Sequence, residues 1–238
     1  MNAPRSDTGS ERRVWDLPVR IFHWTLVLAV AGAWLTHTLG ISYFVYHVWC
    51  GYTVLVLVTF RIVWGIVGTR HARFWNFLRN PLATTRYGWA LLRNRASPHP
   101  GHNPLGAWMV LVLLLALLAQ AVMGLFGNDE IYNLGPLNGY VSYDRGIELT
   151  SLHRRLFYWI LGAIALHIAA VLYHRFAHKE NLVRAMISGR KPATVVPESE
   201  AIHSSRIVVA LLIVAVLASV LIWVVRHAPV PQSLDSFN

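Results

Sequence analysis

Apolar residues run almost without interruption through five stretches of the chain, approximately 17–39, 46–67, 105–125, 152–176 and 207–225, and the polar residues collect between them. A hydrocarbon core of about 30 Å takes about 20 helical residues to cross, so each stretch predicts one membrane span. Lipid offers no partner to a backbone N–H or C=O, which makes every span a helix rather than a strand. The local signals agree. Asp16 ahead of Pro18, and Asn103 ahead of Pro104, set a capping side chain before a proline in the first turn, and Thr150-Ser151 is expected to cap the fourth helix in the same way. Ala29-Val30-Ala31 is a candidate signal-peptide cleavage site, but the apolar run continues past it and carries His23 and Trp24, so the segment is expected to stay as the first span. No soluble domain is expected beside these helices.

Composition strengthens this picture. The 238 residues are 55% hydrophobic and 13% charged, where a soluble globule carries roughly 25% charged residues. Ten Trp and nine Tyr suit aromatic belts at the two membrane surfaces. The single cysteine, Cys50, excludes a disulfide framework, a cysteine-held iron–sulfur cluster and a CxxCH haem attachment. The formal charge of +10 suggests nucleic acid until its distribution is followed. Four Arg lie at or before Arg20, six in 68–104 and six Lys or Arg in 174–206, or 16 of 21, whereas 40–45 is uncharged and 126–151 sets Arg145 against Asp129, Glu130, Asp144 and Glu148. By the positive-inside rule the N-terminus is cytoplasmic and the C-terminus periplasmic. The charge is topology, with some attraction to anionic lipid headgroups, and nucleic acid drops out as a partner.

Twelve histidines carry the chemistry. An ionisable side chain inside a membrane marks a functional site by default. His23 and His37 fall on the first span, His47 on the second, and His153, His167 and His174 on the fourth. His153 and His167, 14 residues apart, return to one helix face within about 40° and stand about 21 Å apart along the axis. Because the helices alternate in direction, two pairs match in depth: His47 with His153 near the outer surface, His23 with His167 toward the inner one. Two neutral imidazoles facing each other across a bundle can hold a haem between them. Gly51, one turn below His47, leaves room for a porphyrin; Arg61, 14 residues after His47, faces the inner level, and Arg154 and Arg155 the outer one, as propionate partners. Blander roles compete. A membrane histidine can be a hydrogen-bonded packing residue, Gly51 ordinary small-residue packing, and Arg61 a snorkelling cation. His37 rivals His47, and His174 rivals His167. The remaining His71, His99, His102, His178, His203 and His227 fall in connections or tails and are expected to be solvated or to face headgroups, and Asp129 and Glu130 to be surface charge.

With these residues in hand, the sequence resembles the bacterial cytochrome b561 and nickel-hydrogenase b-type cytochrome subunit family. Val14-Trp15-Asp16-Leu17-Pro18-Val19-Arg20-Ile21-Phe22-His23-Trp24 resembles its first ligand helix. His47, Gly51, Arg61 and the run from Trp64 to Phe74 resemble its second helix and exit, Gly101-His102-Asn103-Pro104-Leu105-Gly106 the entry to its third, and the His153/His167 spacing its fourth. The resemblance implies an all-α four-helix cytochrome b over 14–191 with two bis-histidine b haems on His23, His47, His153 and His167. It also implies electron passage between a periplasmic redox partner, such as a c-type cytochrome or hydrogenase, and the quinone pool. A short N-terminal arm, 1–13, precedes this domain, and 192–238 supplies a linker, a fifth membrane helix that the four-helix core lacks, and an external tail. Arg20, His71, His102 and Asn103 are the quinone-side candidates. The alternative function is a self-contained oxidase of a small reductant such as superoxide; a permease with protonatable histidines is a third, and predicts no Soret band.

Overall fold

The computed structural model describes residues 10–230, so most of the arm assigned to 1–13 and the end of the external tail lie outside the described residues. In chain order the elements are β1 (Glu11–Arg13), α1 (Leu17–Thr38), α2 (Phe44–Val67), α3 (Phe74–Phe77), α4 (Pro81–Leu92), α5 (Pro104–Phe126), α6 (Tyr143–Ala177), α7 (Leu182–Ser188), β2 (Arg190–Pro192) and α8 (Ile207–Arg226). α1, α2, α5, α6 and α8 are long and apolar enough to cross a membrane, and the protein is an all-α, multi-pass membrane helical bundle. Their faces carry large exposed apolar side chains, as membrane-facing helices do: Leu28 is 72% exposed, Leu211 63% and Trp159 79%.

Two of the expected caps form. Asp16 Oδ1 accepts from the Val19 N–H and Asn103 Oδ1 from the Gly106 N–H, both at 2.7 Å. The third does not. α6 begins at Tyr143, so Thr150 and Ser151 lie inside it rather than ahead of it. Thr150 Oγ1 instead donates to Gly146 O (3.1 Å) and accepts from the Asn128 N–H (2.8 Å), which ties the preceding loop to the helix. Hydropathy marks where a helix meets lipid. Residues 143–151 are helical but polar, and an Arg145–Glu148 ion pair one turn apart sits on that extension.

The chain forms two compact units. Of the described residues, the first comprises 10–21, 63–112 and 165–210 and contains 15 of the 20 Lys and Arg among them. In it β1 and β2 pair antiparallel with Glu11 opposite Pro192, Arg12 opposite Lys191 and Arg13 opposite Arg190. The ribbon continues into α7, since the Val14 and Trp15 N–H groups both donate to Gly189 O (2.8 and 3.1 Å). Gly189 closes α7 with φ +78, and a β-carbon there would lie 2.7 Å from Trp15 O, so both conformation and space require glycine. At the core of this unit Asp16, 1% exposed, accepts through Oδ2 from Trp64 Nε1 (3.0 Å) and Thr69 Oγ1 (2.5 Å). A buried carboxylate is tolerable because each oxygen has donors.

The second unit comprises, of the described residues, 22–62, 113–164 and 211–230. Phe22, Val54, Val58, Phe60, Leu114, Leu117 and Ile160 are buried in it. Its 127–142 loop turns on Asp129, whose Oδ1 accepts from the N–H groups of Ile131, Tyr132 and Asn133 at 3.0, 2.9 and 2.8 Å. Burial pushes that carboxyl up, and these bonds, with Asn133's side chain, override it and bring it down to about 2.

Candidate functional site

His47 is in the first turn of α2 and His153 is on α6, within the second unit. Their ring centres are 6.2 Å apart with the planes at 75°. Each ring is held by its Nδ1: His47 to Ala33 O at 2.8 Å and His153 to Gln120 O at 2.9 Å. A carbonyl can only accept, so Nδ1 carries the proton on both rings and Nε2 is left with its lone pair. This is the arrangement metal-ligating histidines use, in which a hydrogen bond at one nitrogen orients the other. Glycine makes room for one ring. A β-carbon on Gly124 would stand 3.1 Å from His153 Cε1, whereas one on Gly51 meets no atom within 4 Å. His37 adds a third imidazole, 5.9 Å from His47 between ring centres, and is exposed. Among the described residues no group of three or more His, Cys, Asp or Glu is arranged to hold a bare metal ion.

The other expected site residues are distributed as follows. His23 is half-buried in the second unit, its ring edge-on to Trp24 at 5.0 Å, and His167 is half-buried in the first. Arg61 is 2% exposed and therefore does not snorkel to a surface. Arg154 and Arg155 are exposed, and Arg155 donates to Ser151 Oγ at 2.9 Å.

The first unit holds a second group of histidines with a different fate. His174 is 6% exposed and has both nitrogens engaged, Nε2 with Asn103 Nδ2 (3.2 Å) and Nδ1 with Glu180 Oε2 (3.2 Å). Glu180 also receives Lys191 Nζ at 2.8 Å, and Lys191 is itself 5% exposed. Burial pushes the Glu180 carboxyl up; His174 and Lys191 overcome it and hold it at about 2. His71 is not solvated, contrary to the expectation for connections: it is 7% exposed and bonded to Glu200 O at 2.8 Å. Burial lowers its pKa, and that bond raises it part of the way back. His102 packs against Trp15 and Phe77, each 4.7 Å between ring centres. Arg20, the remaining quinone-side candidate, donates to Ile187 O. The residues that sequence reasoning missed are Ala33, Gln120 and Gly124. The first two act through backbone carbonyls, which no side-chain pattern encodes; Gly124, one turn after Gln120, is a sequence signal only once the ring it admits is known.

A helical membrane bundle that presents two backbone-oriented imidazoles, with a small residue beside one of them, has the donor chemistry of a b-type cytochrome. Residues 14–189 match the prokaryotic cytochrome b561 family. The chain belongs to that family, and its activity is membrane electron transfer by b-type haem. Similar proteins include the probable Ni/Fe-hydrogenase B-type cytochrome subunits of Rhizobium leguminosarum bv. viciae (26% identical, covering 75% of this chain and 87% of the relative) and Rhodobacter capsulatus (26%, covering 80% and 87%). The probable Ni/Fe-hydrogenase 1 B-type cytochrome subunit of Escherichia coli K12 is 24% identical, covering 78% of this chain and 92% of its own length.

Proposed function

We propose that the protein carries electrons across the bacterial inner membrane between the quinone pool and a redox protein on the periplasmic side, on two b haems. His47 and His153 hold one, and His23 and His167 the other. When bound, haem supplies reversible one-electron exchange at its iron. The chain's residues do the rest. Each imidazole pair would hold its haem on two neutral nitrogens, which would leave no place for a small ligand and favour electron transfer over oxygen chemistry. Gly51 would leave room for the macrocycle, and Arg61, Arg154 and Arg155 would pair with its propionates. The domain that does this is 14–191, with 192–238 as linker, anchoring helix and tail, the N-terminus cytoplasmic and the C-terminus periplasmic.

The observation that carries this proposal is the His47–His153 pair. The two ring centres lie 6.2 Å apart and both Nδ1 atoms are already engaged, so the two Nε2 atoms would be the ones to hold a haem iron. The distribution of Lys and Arg supports the orientation. The relatives named as hydrogenase subunits indicate the partner's class, a hydrogenase-like or c-type cytochrome redox protein. Asp129, Glu130, Asp144 and Glu148 give it an acidic loop to approach, so partner reduction slows as salt rises. The test is haem quantitation with an oxidised and dithionite-reduced spectrum of the purified protein. Two bis-imidazole b haems per chain are expected; a colourless protein from haem-replete cells, or a pentacoordinate spectrum, overturns the proposal.

A further inference from the structure

α4 lies outside the five membrane-crossing helices, and its surface is divided. Thr84 and Leu91 are buried, while Leu82, Arg86, Trp89 and Arg93, spaced at i, i+4, i+7 and i+11, form an exposed stripe on the opposite side. Large apolar groups stand among the charges: Leu82 is 60% exposed, Trp89 64% and Leu92 69%. The helix is anchored at the level where a span begins. Trp108 of α5 donates through Nε1 to Arg79 O (3.2 Å), and a β-carbon on Gly88 would sit 3.7 Å from Leu105, the second residue of α5.

The end of α4 gathers arginines. Asn94 takes φ +54, its N–H donates to Leu91 O (3.0 Å) and the Arg95 N–H to Ala90 O (2.8 Å). This is a Schellman closure, which satisfies the terminal carbonyls and turns the chain back on the helix. Arg95 thereby joins Arg86 and Arg93, and the three line an open basin of about 460 Å³ with Trp89 and Ala90. The Arg93 guanidinium lies 5.9 Å over the Trp89 ring. Among the described residues no carboxylate pairs with any of the three, and 68–104 contains no acid. Positive-inside topology explains how many arginines there are, but not their convergence on one basin with a tryptophan. A soluble phosphate explains the guanidiniums, but not the exposed Leu82, Trp89 and Leu92.

We propose that this basin is a binding site for the phosphate headgroup of an anionic phospholipid. Arg86, Arg93 and Arg95 take the phosphate oxygens, the fork geometry suiting a phosphodiester, and Trp89, Leu82 and Leu92 rest at the glycerol–acyl boundary. The full-length protein, purified in detergent with its haem spectrum intact, is titrated with cardiolipin or with phosphatidylcholine and bound lipid is counted by native mass spectrometry. Cardiolipin is expected to be retained roughly tenfold more strongly, and Arg86→Gln/Arg93→Gln to abolish that preference. Arg175→Gln/Arg190→Gln, which removes two exposed charges elsewhere, is expected to keep it. Equal loss in both double variants, or an unchanged preference in the first, overturns the site. Displacement of cardiolipin by millimolar inorganic phosphate overturns the lipid assignment. If the glutamine variant loses its haem spectrum, Arg86→Lys/Arg93→Lys takes its place and is expected to weaken retention without removing it.

Discussion

His153 and His174 sit on the same helix and are used in opposite ways. His153 gives one nitrogen to a backbone carbonyl, Gln120 O, and keeps the other. His174 gives both away, to Asn103 and to Glu180. The Asn103 amide has no freedom in this: its Oδ1 is fixed by the Gly106 N–H, so its Nδ2 must face the imidazole. His174 is thus a structural link between the start of α5, the end of α6 and the Glu180–Lys191 pair. Under the proposed assignment the nitrogen left over separates a ligand from a strut: His47 and His153 each keep one, whereas His174, the rival of His167, has both engaged.

The largest test of this contrast is to remove one member of each class. His153→Ala is expected to remove one of two haems, halving the reduced-minus-oxidised absorbance per chain, and His167→Ala to remove the other while sparing the first. If both haems survive His167→Ala, the proposed pairing is wrong. His174→Ala is expected to keep both haems and to destabilise the protein by about 1–3 kcal/mol, because it leaves buried polar groups unpaired; thermal unfolding followed by the Soret band measures this. Asp16→Ala orphans the Trp64, Thr69 and Val19 donors and is expected to cost at least as much as a lost helix cap, about 1–2 kcal/mol.

Acidity probes the strut through the difference between the wild type and a Glu180 variant. The Glu180 carboxyl is held at about 2 against an ordinary 4.5, so its favourable contribution is present above 4.5 and fades as pH falls toward 2. The wild-type unfolding temperature should fall through that window more steeply than that of Glu180→Gln; parallel curves would count against the His174–Glu180–Lys191 link. The smallest expected effect is at Gly51. A β-carbon there meets no protein atom, so Gly51→Ala should not lower protein stability and should act only on the haem beside it, as a shifted midpoint potential read by a redox titration.

Much of the fold is legible in the sequence because lipid imposes a simple rule, and the five apolar runs match the five long helices. The rule stops at the headgroups. Residues 143–151 contain Asp144, Arg145 and Glu148, which hide the first turns of α6 from any hydropathy window. Within the site the histidines stand out by their rarity in apolar spans, but Ala33 and Gln120 contribute carbonyl oxygens that look the same at every residue. His71 falls in a connection, where the sequence alone leads to solvent or headgroups. It is buried instead and bonded to Glu200 O, 129 positions later, and a contact that distant leaves no local trace.

The two-strand ribbon has a consequence for biogenesis. Arg13 precedes its partner Arg190 by most of the chain, and at ribosomal speeds of about 5–20 residues per second roughly 10–35 seconds separate their synthesis. The segment that begins at Glu11 must therefore stay unclaimed at the membrane surface while four spans insert behind it. Zipping onto residues 190–192 can only be a late event in assembly, a latch thrown after the helices are in place.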